Sequence, residues 1–255
     1  MKFTYQDYRM LLQFLKEQGY QICGYHDNYA GTRCAILRHD IDMSIEAALE
    51  MARLEEKNGV QSTYFVLLTS NFYNAASAKS RSMLKEIQAL GHEIGLHFDE
   101  TAYDNAGEGV MVKYILQECG LLSTLLDTQV STVSMHRPSR AALEADLQIP
   151  GIVNSYGKTF FREFKYLSDS RRHWREPVLD IIRSGMYDHL HILTHAFWYR
   201  EHEETISESV GGFICSANRE RYYEMKENIS NMEEILPVSE ICPEMTPPGC
   251  WASLE

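Results

Sequence analysis

One feature constrains this chain more than any other: short apolar runs of strand length alternate with segments whose apolar residues recur at helical spacing. Ala35-Ile36-Leu37 leads into Arg38-His39-Asp40-Ile41-Asp42. The segment after it places Ile45, Ala48, Leu49 and Ala52 at i, i+3, i+4 and i+7, the stripe of an amphipathic helix that stops near Asn58-Gly59. Residues 62–68 read as a buried strand and 81–90 as a helix with Met83, Leu84 and Ile87 inward. A third strand at 93–98 precedes a long helix at 110–126, and 130–135, 152–155, 164–167 and 189–193 complete seven strands. Strands alternating with helices imply βα units and a parallel sheet. The pattern predicts an α/β fold: a seven-stranded parallel (β/α) barrel, closed or incompletely closed, with an open doubly wound sheet as the alternative.

No repeat, low-complexity tract or Gly/Ser/Pro-rich linker divides the 255 residues, a length that one α/β barrel routinely fills. The expectation is a single domain over 1–255. A helix at 4–18, with Leu11, Leu12 and Leu15 on one face, leads into a barrel core at about 33–200. A helical extension at about 201–255 follows, with an acidic surface helix at 218–235 and an irregular tail around Pro243, Pro247, Pro248 and Cys250. The formal net charge of -12, without any Lys/Arg block, argues against a nucleic-acid partner. Gln6, Asp7, Arg9 and Gln13 interrupt the first residues, so no secretory signal is expected. The longest apolar run, Tyr64-Phe65-Val66-Leu67-Leu68, is too short to span a bilayer. The six cysteines form no C-x-x-C pair and read as reduced thiols, which places the protein in the cytoplasm. Nothing in the sequence bears on oligomeric state.

Polar residues collect where the apolar runs end: Arg38-His39-Asp40-Ile41-Asp42, His97-Phe98-Asp99-Glu100, His136-Arg137-Pro138 and Thr194-His195. In parallel α/β architectures the C-terminal strand ends share one face, and active sites collect there. Asp40 and Asp42 are two residues apart, so on a strand both carboxylates point the same way. Two acids that close resist joint ionisation unless a cation sits beside them. The structural alternative is that Asp42 caps the following helix while Asp40 pairs with Arg38 or Arg137. An imidazole at His97 together with these carboxylates suits zinc and similar divalent ions. His92, at the opposite end of its strand, reads as structural.

From about Ile36 to Trp198 these residues resemble the polysaccharide deacetylase superfamily, the NodB-homology or carbohydrate esterase family 4 fold. Arg38-His39-Asp40-Ile41-Asp42 stands where that family has Thr-Phe-Asp-Asp-Gly, which implies Asp40 as base and Asp42 as metal ligand. Gly91-His92-Glu93-Ile94-Gly95-Leu96-His97 matches the family's Gly-His-Glu-Ile-Gly-x-His, implying His97 as a ligand. The family's further His four residues on is replaced by Thr101. A third ligand is then expected from His136, on the next strand, with Asp99 as the alternative. Arg137-Pro138 resembles the family's Arg-Pro, whose Arg orients the catalytic Asp. Ser168-Asp169 and His173-Trp174 are the nearest matches to its Asp-Trp signature. Leu193-Thr194-His195 resembles its Leu-x-His, implying His195 as general acid.

The resemblance is strongest to members that modify lipopolysaccharide or other surface glycans. It implies a hydrolase that uses a divalent metal, zinc by preference, to remove an N-acyl group, acetyl first, from a carbohydrate or sugar-nucleotide substrate. Two rivals remain: a non-sugar C–N hydrolase of the allantoinase-like kind, and a catalytically silent glycan-binding or regulatory protein.

Overall fold

Thr4 opens the first helix, α1 (Tyr5–Glu17): its hydroxyl accepts from Asp7 N at 3.1 Å, and Tyr8, Leu11, Leu12 and Leu15 form the buried stripe. In the computed structural model, which describes residues 1–103 and 107–241, a three-residue strand β1 (Gln21–Cys23) precedes β2 (Cys34–Ile41). Ser44 caps α2 (Ile45–Lys57), and Gly59 takes φ 61 just beyond its end. Then come β3 (Thr63–Val66), α3 (Ala78–Ala89), β4 (Glu93–Phe98), α4 (Glu108–Leu126), β5 (Thr132–Met135), α5 (Arg140–Glu144), β6 (Val153–Asn154), β7 (Lys165–Ser168), α6 (Val178–Ser184) and β8 (His189–Thr194).

The strands lie in the order β6-β5-β4-β3-β2-β8-β7, every pair parallel, and β1 pairs with the first half of β2. This is the expected α/β fold in its incompletely closed form, a curled seven-strand sheet with β6 and β7 as free edges. Closure fails at β6, whose two residues pair only with Thr132 and Val133 before the chain turns away. Three short elements escaped the sequence pattern: β1, α5 and α6, each too brief to show a period.

Residues Met1–Glu201 make one compact unit and His202–Glu255 a second. In the second, α7 (Ile206–Lys226) starts well before the expected 218, on a Thr205–Glu208 capping box, and stops short of 235. Two four-residue helices follow, α8 (Met232–Ile235) and α9 (Val238–Ile241). The tail with Pro243, Pro247, Pro248 and Cys250 lies outside the described residues. Cys23, Cys34 and Cys119 are free thiols, as expected, and Cys242 and Cys250 lie outside the described residues. The helical stretch Gly109–Leu126 is long and apolar enough to cross a membrane; Ile115, Cys119, Leu122 and Leu126 pack in the main core, while Leu116 and Leu121 are exposed.

Strand alternation sorts β2 between two cores. Ala35, Leu37 and Ile41 belong to the large cluster that joins sheet and helices, while Cys34 and Ile36 join Tyr25, Phe65, Phe160 and Phe164 in a smaller one inside the barrel. Gly95 is dictated by this inner packing, because a Cβ there would lie 2.5 Å from the Phe65 ring and 3.1 Å from Thr132 O. On the outer face, fully buried Glu55 accepts from Tyr8 Oη at 2.6 Å, Ser62 Oγ at 2.5 Å and Tyr64 Oη at 2.7 Å. His39 Nε2 stands 3.0 Å from the same carboxylate, and its Nδ1 meets Thr194 Oγ1 at 2.7 Å. One side chain of α2 thus ties α1, β2 and β3 together, and through His39 reaches β8.

Burial alone would raise the Glu55 carboxyl, but His39 and the surrounding donors outweigh it and hold the group down at about 2. A depressed carboxyl stabilises the fold above its unfolded value of about 4.3, and that contribution is lost as pH falls toward 2. Glu55→Gln should therefore cost about 3 kcal/mol at pH 7, with the gap to wild type narrowing in acid. Urea unfolding at several pH values measures this; a pH-independent difference below about 1 kcal/mol would contradict the hub.

Candidate metal centre and active site

Arg38, Asp40 and Asp42 follow one another on the inward face of β2 and the loop after it. The turn that presents Asp42 is pinned by the loop after β3: Tyr73 Oη donates to Ile41 O at 2.7 Å and Ser70 Oγ to Asp42 O at 3.2 Å. β4 contributes His97, which registers with Ser134 of β5. Two residues beyond Ser134, and so on the same face, His136 extends the ladder with its N–H donating to Phe98 O at 2.7 Å. β8 delivers His195 one residue past its end.

Asp42, His97 and His136 converge. Asp42 Oδ1 lies 3.2 Å from His97 Nε2 and 3.3 Å from His136 Nδ1, and the two imidazole nitrogens are 3.1 Å apart. Bonds of about 2.0–2.2 Å to a tetrahedral ion space its donors by about 3.3 Å, so these three atoms fit one face of such a site. Asp42 Oδ1 is buried and makes no well-formed hydrogen bond, which leaves it open to a cation. Burial pushes the Asp42 carboxyl up, but His136 and His97 overcome this and hold it well below its ordinary value. The donor set therefore fits a divalent ion. Asp99, the alternative third ligand, is engaged elsewhere: its Oδ1 accepts from Thr101 N at 2.9 Å and Thr101 Oγ1 at 2.7 Å, capping a tight turn.

Asp40 is 5% exposed, and its Oδ2 accepts from Arg38 Nη2 at 2.7 Å. Its Oδ1 is buried with no hydrogen-bond partner among the described residues. Burial would raise this carboxyl, but the Arg38 guanidinium, with His97 and His195, brings it below its ordinary value. Arg38 is itself fully buried: Nη1 donates to Ser155 Oγ at 2.9 Å, and the guanidinium carbon lies 4.9 Å from the centre of the Tyr156 ring and 5.3 Å from that of Phe65.

The structure does not bring Arg137 to Asp40. The arginine that contacts this carboxylate is Arg38, which needs only strand alternation to reach it. Arg137 follows β5 with φ 47, a left-handed backbone that turns its side chain out to solvent.

His195 Nδ1 is 2.6 Å from Asp169 Oδ1, while Asp169 Oδ2 accepts from His195 N and from Tyr199 Oη, each at 3.1 Å. Burial disfavours the His195 cation, but Asp169 more than compensates and lifts the imidazole to about 9. Its Nε2 points toward the cluster, 3.9 Å from Asp42 Oδ2. Asp169 had no role from sequence beyond a partial signature; its signal was a lone acid after the apolar end of β7. His92 is structural: its Nδ1 accepts from Ser62 N at 3.2 Å and its Nε2 meets Ala52 O at 3.0 Å.

The sequence matches no protein-family model and no curated protein. Among solved structures it is similar to a polysaccharide deacetylase from Bacillus cereus, with 17% identity over 64% of this chain and 78% of that one and a TM-score of 0.45. It is also similar to the chitin deacetylase of the fungal pathogen Colletotrichum lindemuthianum, with 13% identity over 74% of this chain and 84% of that one and a TM-score of 0.46. A carbohydrate esterase family 4 pseudoenzyme from Bacillus anthracis matches at 12% identity and a TM-score of 0.45, over 74% of this chain but only 62% of its own.

The contact between Asp169 and His195 has a direct spectroscopic test. In Asp169→Asn the His195 imidazole should titrate far below about 9, because burial then acts without the opposing carboxylate. NMR titration of His195 in metal-free protein reads this; an unchanged midpoint would assign the elevation to another group.

Proposed function

We propose that this protein is a divalent-metal-dependent hydrolase that removes an N-acyl group, acetyl first, from an amino sugar of a bacterial surface glycan or its activated precursor. One observation carries the reading: from four strand ends, a three-donor cluster meets the unpartnered buried Oδ1 of Asp40 and the Nε2 of an imidazole whose Nδ1 is held by Asp169. One carboxylate and two imidazoles suit zinc. When bound by Asp42, His97 and His136, such an ion supplies Lewis-acid polarisation of the acyl oxygen and lowers the pKa of water toward neutrality.

The chain's own groups divide the proton work. Asp40 Oδ1, the oxygen that Arg38 leaves free, accepts the proton of the attacking water. A carboxylate held below its ordinary value is a weaker base, so the transfer depends on the donor set beside it to acidify the water. Arg38 fixes the direction in which the carboxylate presents that oxygen. His195 remains protonated up to about pH 9 and gives its Nε2 proton to the departing amine, its Nδ1 being engaged by Asp169.

Zinc content by mass spectrometry should fall in His97→Ala and His136→Ala and persist in His92→Ala. Full occupancy in His136→Ala would remove it from the ligand set. Acetate release from an acylated amino-sugar panel, run beside cyclic ureides, tests the substrate class. Asp40→Asn should slow turnover by about 10²–10⁴-fold. It should also lower Tm, since buried Arg38 loses its counter-charge. His195→Ala should impair amides more than activated esters, and equal losses would make His195 a positioning group only.

A further inference from the structure

His97 brings only one of its two ring nitrogens to the cluster. Its Nε2 is the atom turned to Asp42 Oδ1 at 3.2 Å and to His136 Nδ1 at 3.1 Å. Its Nδ1, on the other edge of the ring, is buried and has no hydrogen-bond partner among the described residues. The whole side chain is withdrawn from solvent, so bulk water does not supply one. Other histidines nearby are better served: His195 has its Nδ1 held by Asp169 at 2.6 Å, and His92 has both nitrogens engaged.

A second orphan lies beside the first. Ser134 of β5 is fully buried, and its Oγ also has no partner among the described residues. Ser134 is the register partner of His97, between the pairs Leu96–Val133 and Phe98–Met135. Paired residues of neighbouring parallel strands point to the same face, and the strands lie about 4.8 Å apart. Oγ is one bond from its Cβ and Nδ1 two bonds from its own, which makes each the polar atom nearest to hand for the other. The flanking positions offer no substitute. On the β3 side His97 stands beside Leu67, one residue past the Leu96–Val66 pair, with no polar side-chain atom. On the β6 side Ser134 stands beside Ser155, one past the Val133–Asn154 pair, and Ser155 Oγ already receives Arg38 Nη1 at 2.9 Å.

An imidazole that ligates an ion is neutral and carries its proton on the other nitrogen. That N–H is almost always donated to an acceptor, which fixes the tautomer and the orientation of the ring. A serine hydroxyl meets the need, with two lone pairs and three staggered directions about χ1. Two adjacent buried atoms that each lack a partner are unfavourable apart and complementary together. We infer that Ser134 positions His97 as a metal ligand, its Oγ accepting the Nδ1–H so that the Nε2 lone pair is aimed at the ion held with Asp42 and His136. The inference rests on the divalent-metal reading of that cluster and is independent of the acyl substrate.

Zinc affinity of the full chain, measured by competition with a chromophoric chelator, tests this in wild type, Ser134→Ala and Ser134→Thr, beside the Tm of each metal-free protein. Ser134→Ala should bind zinc about 10–100-fold more weakly at an unchanged metal-free Tm. Ser134→Thr, which keeps the hydroxyl, should recover most of that loss. In the zinc-loaded wild type the His97 Nδ1–H should exchange slowly with solvent by NMR, and in Ser134→Ala it should exchange faster. Equal zinc affinity in wild type and Ser134→Ala, or equal exchange of this proton, overturns the inference and leaves the metal reading standing. A weaker affinity that merely tracks a fall in metal-free Tm makes Ser134 a packing residue and overturns it too, as does a folded Ser134→Thr that binds no better than Ser134→Ala. Absence of measurable zinc binding by wild type removes the metal reading and the inference together. Affinity that depends on Ser134 without any acetate release supports the inference and removes only acyl hydrolysis.

Discussion

A charge buried in a central strand has to be neutralised within reach of that strand, and the Arg38–Asp40 pair meets this requirement in β2. Both side chains are withdrawn from water, a transfer that costs several kcal/mol per ion unless attraction and hydrogen bonds compensate. Compensation comes from the 2.7 Å contact itself, from Ser155 and from the faces of Tyr156 and Phe65. These partners belong to different parts of the sheet, so the pair ties the wall around the candidate site to the Asp40 carboxylate. Replacing either member by a neutral residue strands the other.

The opposite face of the same strand is organised by a second buried acid. Glu55 reaches out of α2 to collect Tyr8, Ser62, Tyr64 and His39, and His39 in turn meets Thr194, the residue before His195. The two faces of β2 thereby divide the labour: inward residues line the candidate site, and outward residues hold the neighbouring strands in place around it. That arrangement follows from period-two alternation alone.

Much of this was legible in the residues. Helical stripes such as Ile45/Ala48/Leu49/Ala52 and strand runs such as 93–98 carry a period, and periods survive into the fold. The grouping of Asp42, His97 and His136 was legible because parallel strands put their ends on one face and adjacent strands share register. Other features had no local signature. Arg137 and Arg38 were both adjacent to chemistry in sequence, and only the backbone direction after β5 decides which one faces Asp40. The bond from Asp169 to His195 joins two strand ends 26 positions apart, a matter of sheet order rather than of spacing. The failure of closure at β6 is likewise a property of the whole ring, since two residues of strand are too few to reveal it.

The seam between β6 and β7 has a mechanical consequence. In a closed barrel, strand number and stagger set the diameter, and widening it breaks ladder hydrogen bonds. A sheet with a break is compliant: its two margins separate by flexing the curl, while each strand keeps its partner on the other side. The residues of the candidate site sit on β2, β4, β5 and β8 or just past their ends, within the continuous part, so their spacing is insulated from that flexing. The break thus confines that compliance to the margins of the sheet, away from the clustered side chains.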